Sequence, residues 1–200
     1  MNFKKFNQVI EEGGAYGHMA NVHEDYMLKF EDLENIIRQA LSGGIKGEVK
    51  EKTDGQALAV SFRGSRVIFA RNKGHYRSFG AGAIKGSKGI IDFFKDHPND
   101  NVKEAFGFAA KDLEKAIKAL SDRQKWLLFA DGKRWVNIEV IWPATVNVIP
   151  YNHELLVLHN FKEYDEEGNA VDGDFNEYGR MMAGMIEQIN QNVQNKFTIT

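Results

Sequence analysis

Cysteine is absent from the 200 residues. That excludes disulfides, thiolate metal sites and cysteine nucleophiles, and it fits a cytosolic chain. No apolar run approaches the roughly 20 residues needed to cross a bilayer. The opening MNFKKFNQVIEEGG is basic but has no apolar core, so it does not read as a secretory signal. A third absence is local. Between Gly55 and Ile91 there is not one Asp or Glu, while Arg63, Arg66, Arg71, Lys73, Arg77, Lys85 and Lys88 all fall there. Of the 26 basic residues, 19 are left elsewhere against 28 acidic ones. A basic segment on an acidic body suggests a local polyanion site rather than a wholly basic nucleic-acid binder.

What is present is an ordinary soluble globular composition, 42% hydrophobic and 27% charged. The length suits one domain. The expected organisation is a single domain over 1–200: a helical and loop region at 1–44, a sheet core at 45–165 and a C-terminal helix at 174–195. Phe3, Phe6 and Ile10 have helical spacing. Phe30 to Leu41 reads as an amphipathic helix with Phe30, Leu33, Ile36, Ile37 and Leu41 inward. GEVKEK, QALAVSF and RVIFAR read as three antiparallel strands, the last two joined by a turn at Arg63-Gly64-Ser65. HYRSFGAGAIKGSKG reads as a glycine-rich loop. GIIDFFKDH is expected as a short helix closed by Pro98, and Val102 to Leu120 as a longer one. KWLLFADG, RWVNIEVIWP, TVNVIPY and ELLVLHNFKEYD are expected as strands, and KFTIT as the start of another. Helices mixed with antiparallel strands indicate an α+β fold.

Several familiar sites are excluded. GAGAIKGS is not a phosphate loop of the Walker type, because Lys85 precedes Gly86 instead of following a glycine. No dinucleotide fingerprint stands between a strand and a helix, and no nucleophile elbow or Ser-His-Asp pattern is present. His18, His23, Glu24 and Asp25 are zinc-type donors. Their loop setting and five-residue histidine spacing read instead as a solvated cluster, and no metal ligands are assigned.

Two features remain. Glu139 lies in VNIEVIW, an otherwise apolar strand, on the face shared by Asn137 and Ile141. Val136, Ile138, Val140 and Trp142 take the other face. A carboxylate there must face solvent, find a partner or serve a site. The second feature is Lys52-Thr53-Asp54-Gly55, a K-x-D-G sequence between two strands. Glu51 precedes it, and Arg71-Asn72-Lys73-Gly74 follows some twenty residues on.

With these motifs the chain resembles the covalent nucleotidyltransferase superfamily, which comprises ATP-dependent DNA and RNA ligases and mRNA capping enzymes. It is similar over residues 15–165, and GHMANVHED is similar to phage-encoded RNA-ligase-like proteins. The resemblance implies antiparallel sheets with flanking helices in a nucleotidyltransferase (ATP-grasp-like) architecture. It implies that Lys52 is the nucleophile that forms lysyl-AMP from ATP with Mg²⁺, its amine made neutral by burial and nearby cations. Asp54 would orient Lys52 or hold metal through water. Gly55 would let the backbone close on the nucleotide. Glu51, Arg71 and Glu139 would belong to the nucleotide site, Arg71 on ribose or phosphate and Glu139 on the ribose hydroxyls. Phe161 would stack on adenine, with His159 as its rival.

The family's later motifs, E-G-apolar-apolar with a following lysine and a K-x-K strand, are not found between Lys162 and Thr200. The expected domain is therefore incomplete at its C-terminus, a degenerate relative, or completed by a later segment or partner. The implied partners are nucleic-acid ends, RNA before DNA, with no membrane, in the cytoplasm of a phage host. The alternatives are a pseudo-ligase that holds nucleotide or RNA ends without covalent chemistry, and a phage interaction protein whose K-x-D-G is an incidental hairpin. A guanylyltransferase of the capping type is a subclass of the enzyme reading.

Overall fold

Alternating residues in QALAVSF and RVIFA place Leu58, Val60, Phe62, Val67 and Phe69 on one face of a hairpin, and small or polar side chains with Ile68 on the other. The computed structural model builds its sheet around this hairpin. It describes residues 27–43, 54–145, 150–191 and 196–200. Chain contacts group into two units, 1–53 and 54–200. In the first unit, helix α1 (Phe30–Leu41) carries acidic Glu31 and Asp32 in its first turn and Arg38 in its last, both favourable to the helix dipole. None of its residues is buried, so the apolar stripe read as inward is not part of a core here. The expected helix at residues 3–11 and the strand GEVKEK lie outside the described residues.

The second unit is α+β with one mixed sheet and flanking helices. Strands β1 (Gln56–Arg63) and β2 (Arg66–Ala70) are joined by Gly64 and Ser65, both left-handed at φ 50° and 68°. That is the two-residue turn whose twist suits a hairpin. The remaining strands are β3 (Ile84–Lys85), β4 (Arg134–Ile141), β5 (Leu155–Tyr164), β6 (Ala170–Val171) and β7 (Thr198–Ile199). The sheet order is β3-β2-β1-β4-β5-β6, all antiparallel, and β7 joins β5 in parallel. KFTIT therefore does enter the sheet. Asp112, only 5% exposed, accepts the Phe197 N–H, and Asn190 bonds both the N–H and the carbonyl of Ile199.

One face of the sheet carries Leu58, Val60, Val67, Phe69, Val136, Ile138 and Val140. Helices α2 (Gly86–Phe94), α3 (Asp100–Ala119) and α4 (Asp122–Phe129) supply Ile90, Phe94, Phe106, Leu113, Ile117 and Phe129 to the same core. Each of these large side chains contributes about 1.5–3 kcal/mol by leaving water. Ala105, Ala109 and Ala116 keep α3 close to its neighbours. Residues 125–132, expected as a strand, are largely the second half of α4 and the turn that follows it. A capping box decides it: Ser121 and Gln124 satisfy each other's backbone N–H groups at the helix start. The C-terminal helix is two, α5 (Asn176–Ala183) and α6 (Ile186–Gln191), divided at Gly184 and Met185. Most of TVNVIPY lies outside the described residues.

The other face has a smaller core of Ala59, Ile68, Ala70, Tyr76, Ala83, Trp135 and Tyr164. Here the segment expected as an open glycine loop folds back over the sheet. The Tyr76 ring stacks on Tyr164 with centroids 3.9 Å apart and meets Trp135 edge-on at 5.1 Å. Gly80 makes this possible. It is left-handed, and a Cβ there would stand 2.5 Å from Ile68 Cδ1.

Candidate functional site

Glu139 is paired with Ala57 in the β1–β4 register, on the face opposite the helices. A half-buried carboxylate in a strand needs donors. Its Oε1 accepts the Gly55 backbone N–H at 2.6 Å, and its Oε2 lies 2.8 Å from His159 Nε2. Charge-assisted bonds of this kind are the strong ones. The chain just ahead of β1 is thus tied to a strand 84 residues away. Gly55 has no space for a side chain. A Cβ would sit 2.6 Å from Glu139 Cγ and 2.8 Å from the Val140 carbonyl oxygen. One residue earlier, the Asp54 N–H donates to the Tyr151 hydroxyl at 3.0 Å. Two successive backbone amides of the K-x-D-G segment are therefore held by side chains from β4 and the approach to β5.

His159 lies on the Glu139 face, two residues beyond Val157, where β5 is irregular. The β4–β5 register pairs Asn137 with Asn160 but Ile138 with Leu158, so His159 is an extra residue in a bulge. The bulge also explains Phe161. Uninterrupted alternation from Val157, which faces Glu139, would put Phe161 on the same face. The extra residue reverses the parity, and Phe161 pairs with Val136 on the helix side. It is 4% exposed, packed near Phe129 and Tyr178. The structure therefore does not bring the expected stacking ring to Glu139, and its rival His159 is the residue found there.

Arg71 is also directed elsewhere. It follows β2 on the side of Phe69, and its guanidinium lies 4.7 Å from the Phe106 ring centroid and 5.7 Å from that of Phe94. It donates to the Ala57 carbonyl, two residues beyond Gly55. Burial pulls its pKa below the ordinary value, and Tyr76 opposes that shift. Its backbone N–H donates to His75 Nδ1 at 3.0 Å, and burial lowers the His75 pKa too. Arg71 thus braces the start of β1 from the helix side, while Glu139 holds it from the other. Glu51 and Lys52 lie outside the described residues.

Tyr151 was not legible as a site residue, since nothing in the spacing of NVIPY marks it. His159 had a signal: a polar pair, His-Asn, interrupting an apolar strand. Among the described residues no group of three His, Asp or Glu could hold a metal, and no helix is long and apolar enough to cross a membrane. Comparison of the chain with protein-family models, with curated proteins and with solved structures finds no match.

Proposed function

We propose that the chain is an ATP-dependent polynucleotide ligase-like nucleotidyltransferase that uses Lys52 as its nucleophile. One observation carries this reading: the Gly55 N–H sits on the Glu139 carboxylate at 2.6 Å, with no room for a Cβ between them. Gly55, the last residue of K-x-D-G, and Glu139 are far apart in sequence and meet on one sheet face, as the nucleotidyltransferase architecture proposed here requires.

In this reading the Lys52 amine attacks the α-phosphorus of ATP. A P–N bond forms, the bond to pyrophosphate breaks, and the amine loses its proton. Gly55 is held on Glu139, and Asp54 directly precedes it in the chain. Glu139 would meet the ribose hydroxyls, as the resemblance implies. Mg²⁺ when bound would offset the triphosphate charge.

The test is incubation with α-labelled ATP and Mg²⁺, with GTP in parallel, then denaturing electrophoresis and acid treatment. An acid-labile label that is lost in Lys52→Ala is expected. A folded wild-type protein that takes no label from either nucleotide refutes covalent chemistry. A melting shift with ATP would then indicate a non-covalent binder.

A further inference from the structure

The face that carries Glu139 has a second site at its far end. Strand alternation sets Arg63 on the same side of β1 as Ala57, the cross-strand partner of Glu139. The register then adds Arg66 opposite Arg63, and Lys85 opposite Ile68, on that side. Arg63, Arg66 and Lys85 line an open cavity of about 410 Å³, bordered also by Gly64 and Ser65 of the hairpin turn and by Gly80 and Ala81. No carboxylate is among the lining residues. The nearest role for one is Asp131, which accepts the Gly64 N–H at 2.9 Å. Arg63 is steadied by donating to the Ser78 carbonyl at 2.7 Å. Arg66 and Lys85 are exposed.

Three cations converging on one concavity, with no acidic residue lining it, form an anion site, and guanidinium forks match phosphate oxygens. Its position decides what kind of anion. Ala57 and Arg63 are six residues apart on β1, about 20 Å at the usual strand rise. That is about six nucleotide steps of a stacked strand at roughly 3.4 Å each, far beyond one nucleotide held at Glu139. Exposed Arg77 lies on the segment that covers the sheet between the two.

We infer that the Arg63–Arg66–Lys85 cavity binds backbone phosphates of a single-stranded nucleic acid whose end lies at the Gly55–Glu139 site. The placement of that end rests on the ligase-like reading above; the phosphate site does not.

The experiment is fluorescence anisotropy with a labelled 12-nucleotide single-stranded RNA and full-length protein over a salt series. The variant Arg66→Glu/Lys85→Glu changes two exposed side chains. Lys111→Glu/Lys115→Glu makes the same charge change at a second, lysine-lined cavity, and melting curves check folding of both. Loss of at least about ten-fold in affinity, with the salt slope shallower by about 1.4 for two lost contacts, is expected for the first variant only. Equal losses in both variants overturn the site, as does wild-type affinity in the first. Competition by pyrophosphate equal to that by the strand, at matched phosphate concentration, also overturns it. Self-labelling with ATP is read separately. It should persist in Arg66→Glu/Lys85→Glu, and its absence from the wild type would count against the ligase-like reading while leaving the phosphate site to the anisotropy result.

Discussion

Replacing Gly55 by alanine tests whether the K-x-D-G segment is clamped as described. The added methyl group would lie 2.6 Å from Glu139 Cγ, 2.8 Å from the Val140 oxygen and 3.1 Å from Ile141 Cγ1. The second contact is to backbone in a paired strand, so a side-chain rotation cannot relieve it. Overpacking of this kind costs about 1–3 kcal/mol. Moving Gly55 away also stretches its bond to the Glu139 carboxylate, and hydrogen bonds to charged groups are worth about 1.5–3 kcal/mol. Partial loss of both gives about 3 kcal/mol. For a chain of this size that lowers Tm by about 6–12 °C. Differential scanning calorimetry measures it, with Gly179→Ala as control. Gly179 is in helix α5, and a Cβ added there would meet nothing within 4 Å, so alanine there should hold or raise Tm. If Gly55→Ala melts within about 2 °C (roughly half a kcal/mol) of the wild type, the clamp does not exist as drawn. In that case the convergence of Gly55 and Glu139 loses its force as support for the functional reading.

Arg134 should prove the most sensitive surface-distant charge. It is 8% exposed, pairs with Glu163, stacks 3.5 Å over the Tyr178 ring and donates to the carbonyls of Leu127 and Leu128. Arg134→Ala leaves a partly buried carboxylate and helix-end carbonyls unpaired, at a cost of about 3 kcal/mol, measurable by urea unfolding. His75 should make stability fall with acid. Burial lowers its folded pKa below the ordinary 6.5, so its contribution is complete above pH 6.5 and is lost as pH falls through the folded value. Protonation of Nδ1 also ends its acceptance of the Arg71 N–H. His75→Gln should remove that step from a plot of Tm against pH, and an unchanged plot would refute the assignment.

The strand pairing around QALAVSF was legible because alternation fixes both register and face, and β1 and β2 follow it residue for residue. Glu139 was legible for a different reason: a carboxylate amid valines and isoleucines has to be met by donors, and it is. The rest failed where the signal was not periodic. Trp126 to Phe129 is too short an apolar run to distinguish helix from strand, and the deciding information was polar, in Ser121 and Gln124. The side on which Phe161 lies was not legible, because a bulge leaves no trace in composition yet inverts every side chain beyond it. The side on which Arg71 lies was legible. It alternates with Ala70 and so shares the side of Phe69, which the pattern of RVIFAR already assigns to the core.

The strand order has a consequence for synthesis. β1 gains its β2 neighbour almost at once, since a hairpin closes in about 1–10 μs. Its other neighbour, β4, can begin pairing only when Val136 meets Val60, 76 residues later. At about 5–20 residues per second on the ribosome, that edge stays unpaired for about 4–15 s. Helices α2, α3 and α4 all emerge within the interval and can cover the apolar face of Leu58, Val60 and Phe69. They leave the bare edge of β1 available to any other extended chain, including that of the next ribosome on the same message. Until β4 arrives, the nascent chain is at its most vulnerable to aggregation, and the edge then exposed is the one that β4 will bond.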